Sequence, residues 1–455
     1  MRWSKDQGPD ILNERGWRVT KTGKVLLLNA HLIDPGIDLD DTGSVLIERG
    51  KITGVGDIPK QEQEGADVID MTGIIVCPGL FDMHVHLREP GQENKETIFT
   101  GTTAAAAGGF TAVACMPNTD PALDNVGVIR WIYDMAAGGP VDVHPIAAVT
   151  RNREGEILSD IADLYSAGVR ALSDDGDPLR SSEVMRRALE YCKMNDLVIS
   201  THSEDKALAS NGVMREGEAS TKLGLAPWPS MAEAVMVARD VLLAGYTGGR
   251  LHVGHISSRE SIEMVRWAKR QGYNVTCEAT PHHFALNDEA CASYSSHFKM
   301  NPPLGTEDDR LAVLDGLRDG TIDAIATDHA PHTVEEKLRE FSLAPNGVIG
   351  LETAVGVAAK VLVEQNRFDW SMLIQRMAVA PRAIMRLPEA QLKKGAVANL
   401  SFIDTSQGWT VDPEAFFSKG RNTPFAGWDL PARPAGICNR GWMMTHPDVA
   451  GRWTR

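Results

Sequence analysis

The 455-residue sequence lacks any closely spaced pair of cysteines. Its six cysteines (Cys77, Cys115, Cys192, Cys277, Cys291, Cys438) are scattered, and no CxxC occurs. That pattern excludes a disulfide scaffold and reads as reduced, mostly buried thiols of a cytoplasmic protein. No segment approaches the roughly 18 continuous apolar residues of a membrane span. Met1 to Gly16 has no apolar stretch after its basic residues, so no secretory signal is expected. Positive charge is in deficit: 46 Lys and Arg stand against 61 Asp and Glu, a net charge of −15. This argues against nucleic acid or an anionic membrane as partner. A small anionic substrate is compatible, because a local site can reverse the global sign. Low-complexity tracts are absent too, and with 43% hydrophobic and 24% charged residues the chain is neither disordered nor collagen-like.

What is present is an ordered alternation between two β-rich ends. From Lys24 onward, short apolar runs (Val25 to Leu28, Ser44 to Glu48, Lys51 to Val55) are separated by turn residues such as Arg49-Gly50. The texture returns in Gly395 to Ile403 and Trp409 to Val411. We therefore expect an extension over 1–20 and one small β-sandwich domain assembled from 21–73 and 388–455. The middle, 74–387, alternates strand-like and helical patterns. Its strand-like runs are Ile74 to Val76, Thr111 to Cys115, Val141 to Val149, Val169 to Leu172, Leu197 to Thr201, Arg250 to Gly254, Asn274 to Glu278 and Ile322 to Thr327. Between them, Met231, Ala234, Val235, Ala238 and Leu242 share one helical face, and Ile262, Val265 and Ala268 recur at intervals of three. Eight such units predict an α/β fold of the (β/α)₈ TIM-barrel type.

Polar clusters fall where these runs end, which in such a barrel is the functional face. His84 and His86 sit at i and i+2, so a strand points both the same way and can offer both to one metal ion. A lone HxH is as easily two ordinary histidines. Further candidates end other runs: Asp174-Asp175 on the fourth, His202 on the fifth, His252 and His255 on the sixth, Asp328 on the eighth. Imidazoles with carboxylates suit Zn²⁺, with Mn²⁺, Co²⁺ and Ni²⁺ as alternatives. Four His and two Asp exceed the needs of one tetrahedral ion, so two metals are the natural inference.

The stretches DMHVHLREPG (82–91), MPNTDP (116–121), LSDDG (172–176), THSED (201–205), GHIS (254–257), TPHH (280–283), KMNPPL (299–304) and TDHAPH (327–332) resemble, in order, those of the amidohydrolase superfamily and within it the class I dihydroorotases. The resemblance covers nearly the whole chain after the extension. It implies His84, His86 and Asp328 on one metal, His202 and His255 on the other, and Asp175 as the bridge: the family's spacing of 27 residues to the next His ligand selects it over Asp174. His255 is preferred to His252 because it fits GHIS. Dihydropyrimidinases, hydantoinases and allantoinases bridge their metals with a carboxylated Lys, and no Lys lies between Leu158 and Tyr191 here. His282-His283 are not ligands in the family and are expected behind the site.

The resemblance implies reversible cyclisation of N-carbamoyl-L-aspartate to L-dihydroorotate and water, in de novo pyrimidine synthesis. Two dications sharing an oxygen lower the pKa of water and polarise a carbonyl. Asp328, beside the bridging hydroxide, is the expected general acid and base. Two dications against two ionised Asp and a hydroxide leave one positive charge, and Arg88 adds another, which matches a dicarboxylate. Arg88 resembles the family's carboxylate anchor, its planar fork being suited to bidentate binding. Asn118, Asn301 and His332 are companion contacts, the plainer alternatives being that Asn118 caps the turn before Pro121 and that Asn301 is a turn residue before Pro302-Pro303. Asn346-Gly347 stands where the family carries Phe-Gly, inside a polar stretch from His332 to Gly350 that is expected to form a mobile lid. Two rivals follow from relatives: a hydantoinase- or allantoinase-like cyclic amidase, and an inactive structural partner of aspartate transcarbamoylase. Docking to aspartate transcarbamoylase and homo-oligomerisation are further expectations of the resemblance.

Overall fold

The computed structural model describes residues 15–454. The alternating middle contains eight parallel strands, labelled β1 to β8: Leu80–Val85, Phe110–Cys115, Asp142–Pro145, Ala171–Leu172, Val198–Thr201, Arg250–Val253, Val275–Ala279 and Ala324–Ile325. β1 to β3 form one sheet and β4 to β8 another, each strand beside its sequence neighbour. Isolated parallel bridges join the sheets at both ends, Ala147 with Leu172 and Val85 with His329. A helix follows each strand: α1 Ile98–Ala107, α2 Val126–Ala136, α3 Ile161–Ser166, α4 Ser182–Met194, α5 Met231–Thr247, α6 Arg259–Arg270, α7 Glu307–Asp319 and α8 Ala354–Ala358.

Local chemistry sets the helix ends. Ser258 accepts from the Ser261 amide at the start of α6, and Thr306 and Asp309 form a reciprocal capping box on α7. Gly320 ends α7 at φ 84°, a left-handed conformation that glycine adopts without a Cβ penalty. Alternating strand positions feed two cores. Ala112 and Ala114 of β2, Ala171, Val198 and Ala324 pack with Phe81, Ile384 and Met385. Val113, Cys115, Leu172, Ile199, Leu251 and Val275 face the surrounding helices. Each large aliphatic side chain so buried contributes about 1.5–3 kcal/mol.

Two sequence expectations need correction. Ile74–Val76 was expected as the first strand of the middle. The strand there, Ile74–Pro78, instead pairs with Leu400–Asp404 and Lys24–Asp34 in the sheet built from the chain ends, and β1 begins two residues later. Gly79 makes the abrupt passage feasible, because any Cβ there would collide with the side chains of Asn399 and Thr111. The second concerns α5. Of the expected face Ala234 is buried, but Met231, Val235 and Leu242 are exposed, and the buried residues of the helix are Ala232, Glu233, Ala234, Met236, Val237, Asp240, Val241 and Ala244. Two buried carboxylates among them masked the buried face from a hydrophobic count.

The terminal sheet has ten strands drawn from both ends of the chain. It branches at Lys24–Asp34, which pairs with Asp67–Asp70 through residues 25–28 and with Ile74–Pro78 through residues 31–32. Residues 1–14 of the expected extension lie outside the described residues. Its end, Arg18–Lys21, is a strand paired antiparallel with Trp442–Thr445. Trp409–Thr410 pairs separately with Asp429–Leu430. Among the described residues no helix is long and apolar enough to cross a membrane.

Candidate functional site

The ends of the parallel strands deliver the ionisable residues to one place. His84 lies in β1, with His86 and Arg88 just beyond it. Asn118 follows β2, Asp175 β4, His202 β5, His255 β6 and Asp328 β8. Arg88, His255 and Asp328 adopt positive φ values of 63°, 31° and 48°. Such backbone costs on the order of 1–3 kcal/mol per residue and clusters where side chains must be aimed.

Asp175 stands at the centre. Its Oδ1 lies 3.5 Å from Nε2 of His84, 3.5 Å from Nδ1 of His202 and 3.4 Å from Nε2 of His255, and its Oδ2 lies 3.4 Å from Nε2 of His86. Asp328 Oδ1 is 2.9 Å from His86 Nε2 and 3.5 Å from His84 Nε2. Two triads bring one donor atom each within 4.8 Å of one another: His84, Asp175 and His255, and His84, His86 and Asp328. His202 adjoins the first, its Nδ1 2.9 Å from Nε2 of His255. All six side chains are buried.

A cavity of about 210 Å³ opens above them. Its lining includes His86, Asp175, His202, His255 and Asp328 together with Arg88, Asn118, Asn301, His332, Asn346 and Gly347. His84 lies beneath. Thus eleven of the twelve sequence-predicted residues line one cavity and the twelfth touches its floor. A wider cavity, about 600 Å³, lies between residues 156–163 and α4 and contains none of them.

The neighbouring candidates are used elsewhere. Asp174 accepts from the amide and hydroxyl of Thr150. His252 lies 2.9 Å from Thr276 Oγ1 and 3.2 Å from Glu278 Oε2. His283 bonds Thr280 and the Pro302 carbonyl, and neither it nor His282 lines the cavity. Two buried acids escaped sequence reasoning. Glu278 of β7 lies 2.6 Å from Nδ1 of His84, and Glu204 lies 3.2 Å from Nε2 of His202. The only signal for Glu204 was its place in THSED, and Glu278 sits outside every stretch that carries the resemblance.

The electrostatics follow from acids gathered in a dry place. Burial pushes the Asp175 carboxyl up, but the His84 charge and the close imidazoles of His202, His255 and His84 hold it well below the usual carboxylate range. Asp328, opposed by burial, is drawn down to about 2 by His86 and the surrounding imidazoles. Burial lowers His84, yet Asp175 and Glu278 raise it well above the ordinary imidazole value, and the His202 imidazole is raised to about 9 against burial by Asp175 and Glu204. The cluster therefore draws in positive charge. Burial lowers Arg88 to about 10, still protonated at neutral pH, and with Arg88 lowers His332 to about 3, leaving it neutral.

The stretch expected as a lid is fastened. Lys299 donates to the carbonyls of Ser342 and Ala344, and Lys337 to those of Pro345 and Gly347. His332 Nε2 lies 2.8 Å from the Asn346 carbonyl. Asn301 is turned toward His202 and Glu204, at 3.2 and 3.1 Å.

Solved structures with this architecture include an L-hydantoinase (dihydropyrimidinase) from Arthrobacter aurescens, with a TM-score of 0.82 at 22% identity over 93% of this chain and 96% of that one. A D-hydantoinase (dihydropyrimidinase) from Thermus sp. gives 0.76 at 23% over 92% and 94%. At that identity the likeness shows the fold alone. Fold and site together define a protein that gathers a candidate metal-binding cluster of histidines and aspartates at the ends of parallel strands. A sequence model of the family described as dihydro-orotase-like matches residues 73–261. Curated relatives named dihydroorotase are 47% identical over 93% of the chain and 100% of the relative (Syntrophus aciditrophicus) and 48% identical over 91% and 97% (Syntrophotalea carbinolica). The chain belongs to the dihydroorotase family.

Proposed function

We propose that this protein is a dihydroorotase, interconverting N-carbamoyl-L-aspartate and L-dihydroorotate with loss or gain of water in pyrimidine synthesis. The observation that carries the reading is Asp175, a carboxylate 3.4–3.5 Å from four histidines at the position where ring-opening cousins need a carboxylated lysine. The extent of identity with proteins named dihydroorotase supports the same choice. We read the two parallel sheets as arcs of a closed (β/α)₈ barrel, and the branched terminal sheet as a small β-sandwich built from both chain ends.

The donor set fits a pair of zinc-like dications. Nε2 of His84 and Oδ1 of Asp175 are buried without a hydrogen-bond partner, an expensive arrangement unless a cation takes them up. His84, His86 and Asp328 would hold one ion, His202 and His255 the other, and Asp175 both. Bound there, the ions supply Lewis-acid polarisation of a carbonyl and acidify water.

The chain's own side chains do the rest. Arg88 presents its guanidinium to a substrate carboxylate, with Asn118, Asn301, His332 and the Asn346-Gly347 backbone around it. Asn118 Oδ1, 2.8 Å from Nδ1 of His86, also fixes that imidazole. Asp328, ionised at neutral pH, takes a proton at Oδ1 or Oδ2 from the water that attacks the ring amide carbon and gives it to the nitrogen as the C–N bond breaks. In the synthetic direction it takes the proton from the attacking nitrogen and gives it to the carboxylate oxygen that departs as the C–N bond forms. The test is turnover of L-dihydroorotate and N-carbamoyl-L-aspartate, with hydantoin as comparison and metal measured on the same sample. Reaction with hydantoin and none with dihydroorotate would reverse the proposal, and a protein that binds no zinc and stays inactive with it added would favour the scaffold role.

A further inference from the structure

A segment far along the chain crosses behind the cavity wall. Glu352 accepts from the amides of Phe417 and Ser418 at 3.0 and 3.1 Å, and Glu96 accepts from the Ser418 hydroxyl and the Lys419 amide. These two carboxylates pin one end of the segment. At the other end lies Asn422, 2% exposed. Its Nδ2 donates to the carbonyls of Ala330 at 3.0 Å and Gly347 at 3.1 Å, and its Oδ1 accepts from the His332 amide at 3.2 Å. Its own carbonyl accepts from the Ile349 amide at 3.0 Å.

The three residues held by that side chain, Ala330, His332 and Gly347, all line the cavity, whereas Asn422 does not. Between Ala330 and His332 stands Pro331, whose carbonyl accepts from Nε of Arg88 at 3.2 Å. One amide group thus brackets the tripeptide that orients the guanidinium and ties it to the Gly347 turn opposite. Both donors and the acceptor are engaged. No hydrocarbon side chain can replace them, and a carboxylate would set oxygen against the Ala330 and Gly347 carbonyls.

We infer that Asn422 is a positioning residue for substrate binding, fixing the wall and the Arg88 guanidinium that receive the carboxylate end of the substrate. The inference rests on the dihydroorotase reading for the identity of that substrate, not for the geometry. Asn422 touches none of the six metal-site side chains, so its loss should act on ground-state binding rather than on the chemical step.

The experiment compares wild type with Asn422→Ala and Asn422→Asp in L-dihydroorotate hydrolysis, with zinc content and amide hydrogen exchange of the zinc-loaded proteins followed by mass spectrometry. We expect KM to rise by about 10- to 100-fold in both variants, kcat to stay within about threefold, zinc to be retained, and exchange to quicken over 330–349 while the rest of the chain is unchanged. If Asn422→Ala does not fold, the near-isosteric Asn422→Asp decides alone. An unchanged KM, or exchange quickened throughout the chain with kcat and zinc lost, overturns the inference. Wild type inactive on dihydroorotate would count against the functional reading, and the exchange contrast over 330–349 would still decide for or against Asn422.

Discussion

Glu278 of β7 joins two histidines from strands that do not pair with each other, β1 and β6: its Oε1 lies 2.6 Å from Nδ1 of His84 and its Oε2 3.2 Å from Nε2 of His252. The first contact leaves Nε2 of His84 facing Asp175 and Asp328, so the carboxylate sets which imidazole nitrogen is offered to an ion. Acids in this position typically account for 10- to 100-fold in metal affinity. We expect Glu278→Ala to weaken zinc binding by about that factor in a chelator competition. Affinity equal to wild type would show that His84 holds its orientation without it.

Asp328 is expected to move a proton as well as hold an ion. Asparagine keeps an oxygen donor but accepts no proton at neutral pH. Asp328→Asn should retain zinc and lose about 10²- to 10⁴-fold in kcat, in either direction of the reaction. Near-normal turnover with zinc retained would refute the shuttle.

Arg88 is the buried cation of the cavity. Lysine keeps its charge but not the planar fork that the Pro331 carbonyl orients. Arg88→Lys should raise KM for N-carbamoyl-L-aspartate by about tenfold or more, and Arg88→Met by about a hundredfold, the scale of losing one or two charge-assisted hydrogen bonds. Equal KM values across the series would remove Arg88 from the substrate contacts.

Much of this was open to sequence reasoning, and the exceptions have physical causes. His84 and His86 declare themselves because a two-residue interval on a strand makes them neighbours in space. Asp174 and Asp175 cannot be told apart by chemistry, since both are acids at one strand end. The family's spacing to His202 picks out the second, and in the structure Thr150 occupies the first. Ile74–Pro78 carries as apolar a pattern as β1, and which sheet claims it depends on a partner more than three hundred residues away, Leu400–Asp404. Glu278 and Asn422 left no signal, since each acts through contacts with residues remote in the chain.

Asp240 offers a test away from the site. It is 1% exposed on α5, with Arg239 Nε donating at 2.8 Å, and burial raises its carboxyl to about 6 against the pull of Arg239. The folded state therefore binds this proton more tightly than the unfolded chain does. That contribution to stability is whole below about pH 4 and lost as pH rises through about 6. Asp240→Asn carries no such proton. Its stability relative to wild type should climb by about 1–3 kcal/mol between roughly pH 4 and pH 7 in urea unfolding of equally zinc-loaded samples. A difference independent of pH would reject the assignment.

The contacts of Asn422 also bear on synthesis. A nascent chain that has emerged as far as Asp328, just past β8, already owns every histidine and aspartate of the cluster, yet the clasp on Ala330, His332 and Gly347 waits for some ninety further residues to emerge. The donors of the cluster thus exist in the growing chain before the cavity wall that orients Arg88 can be completed.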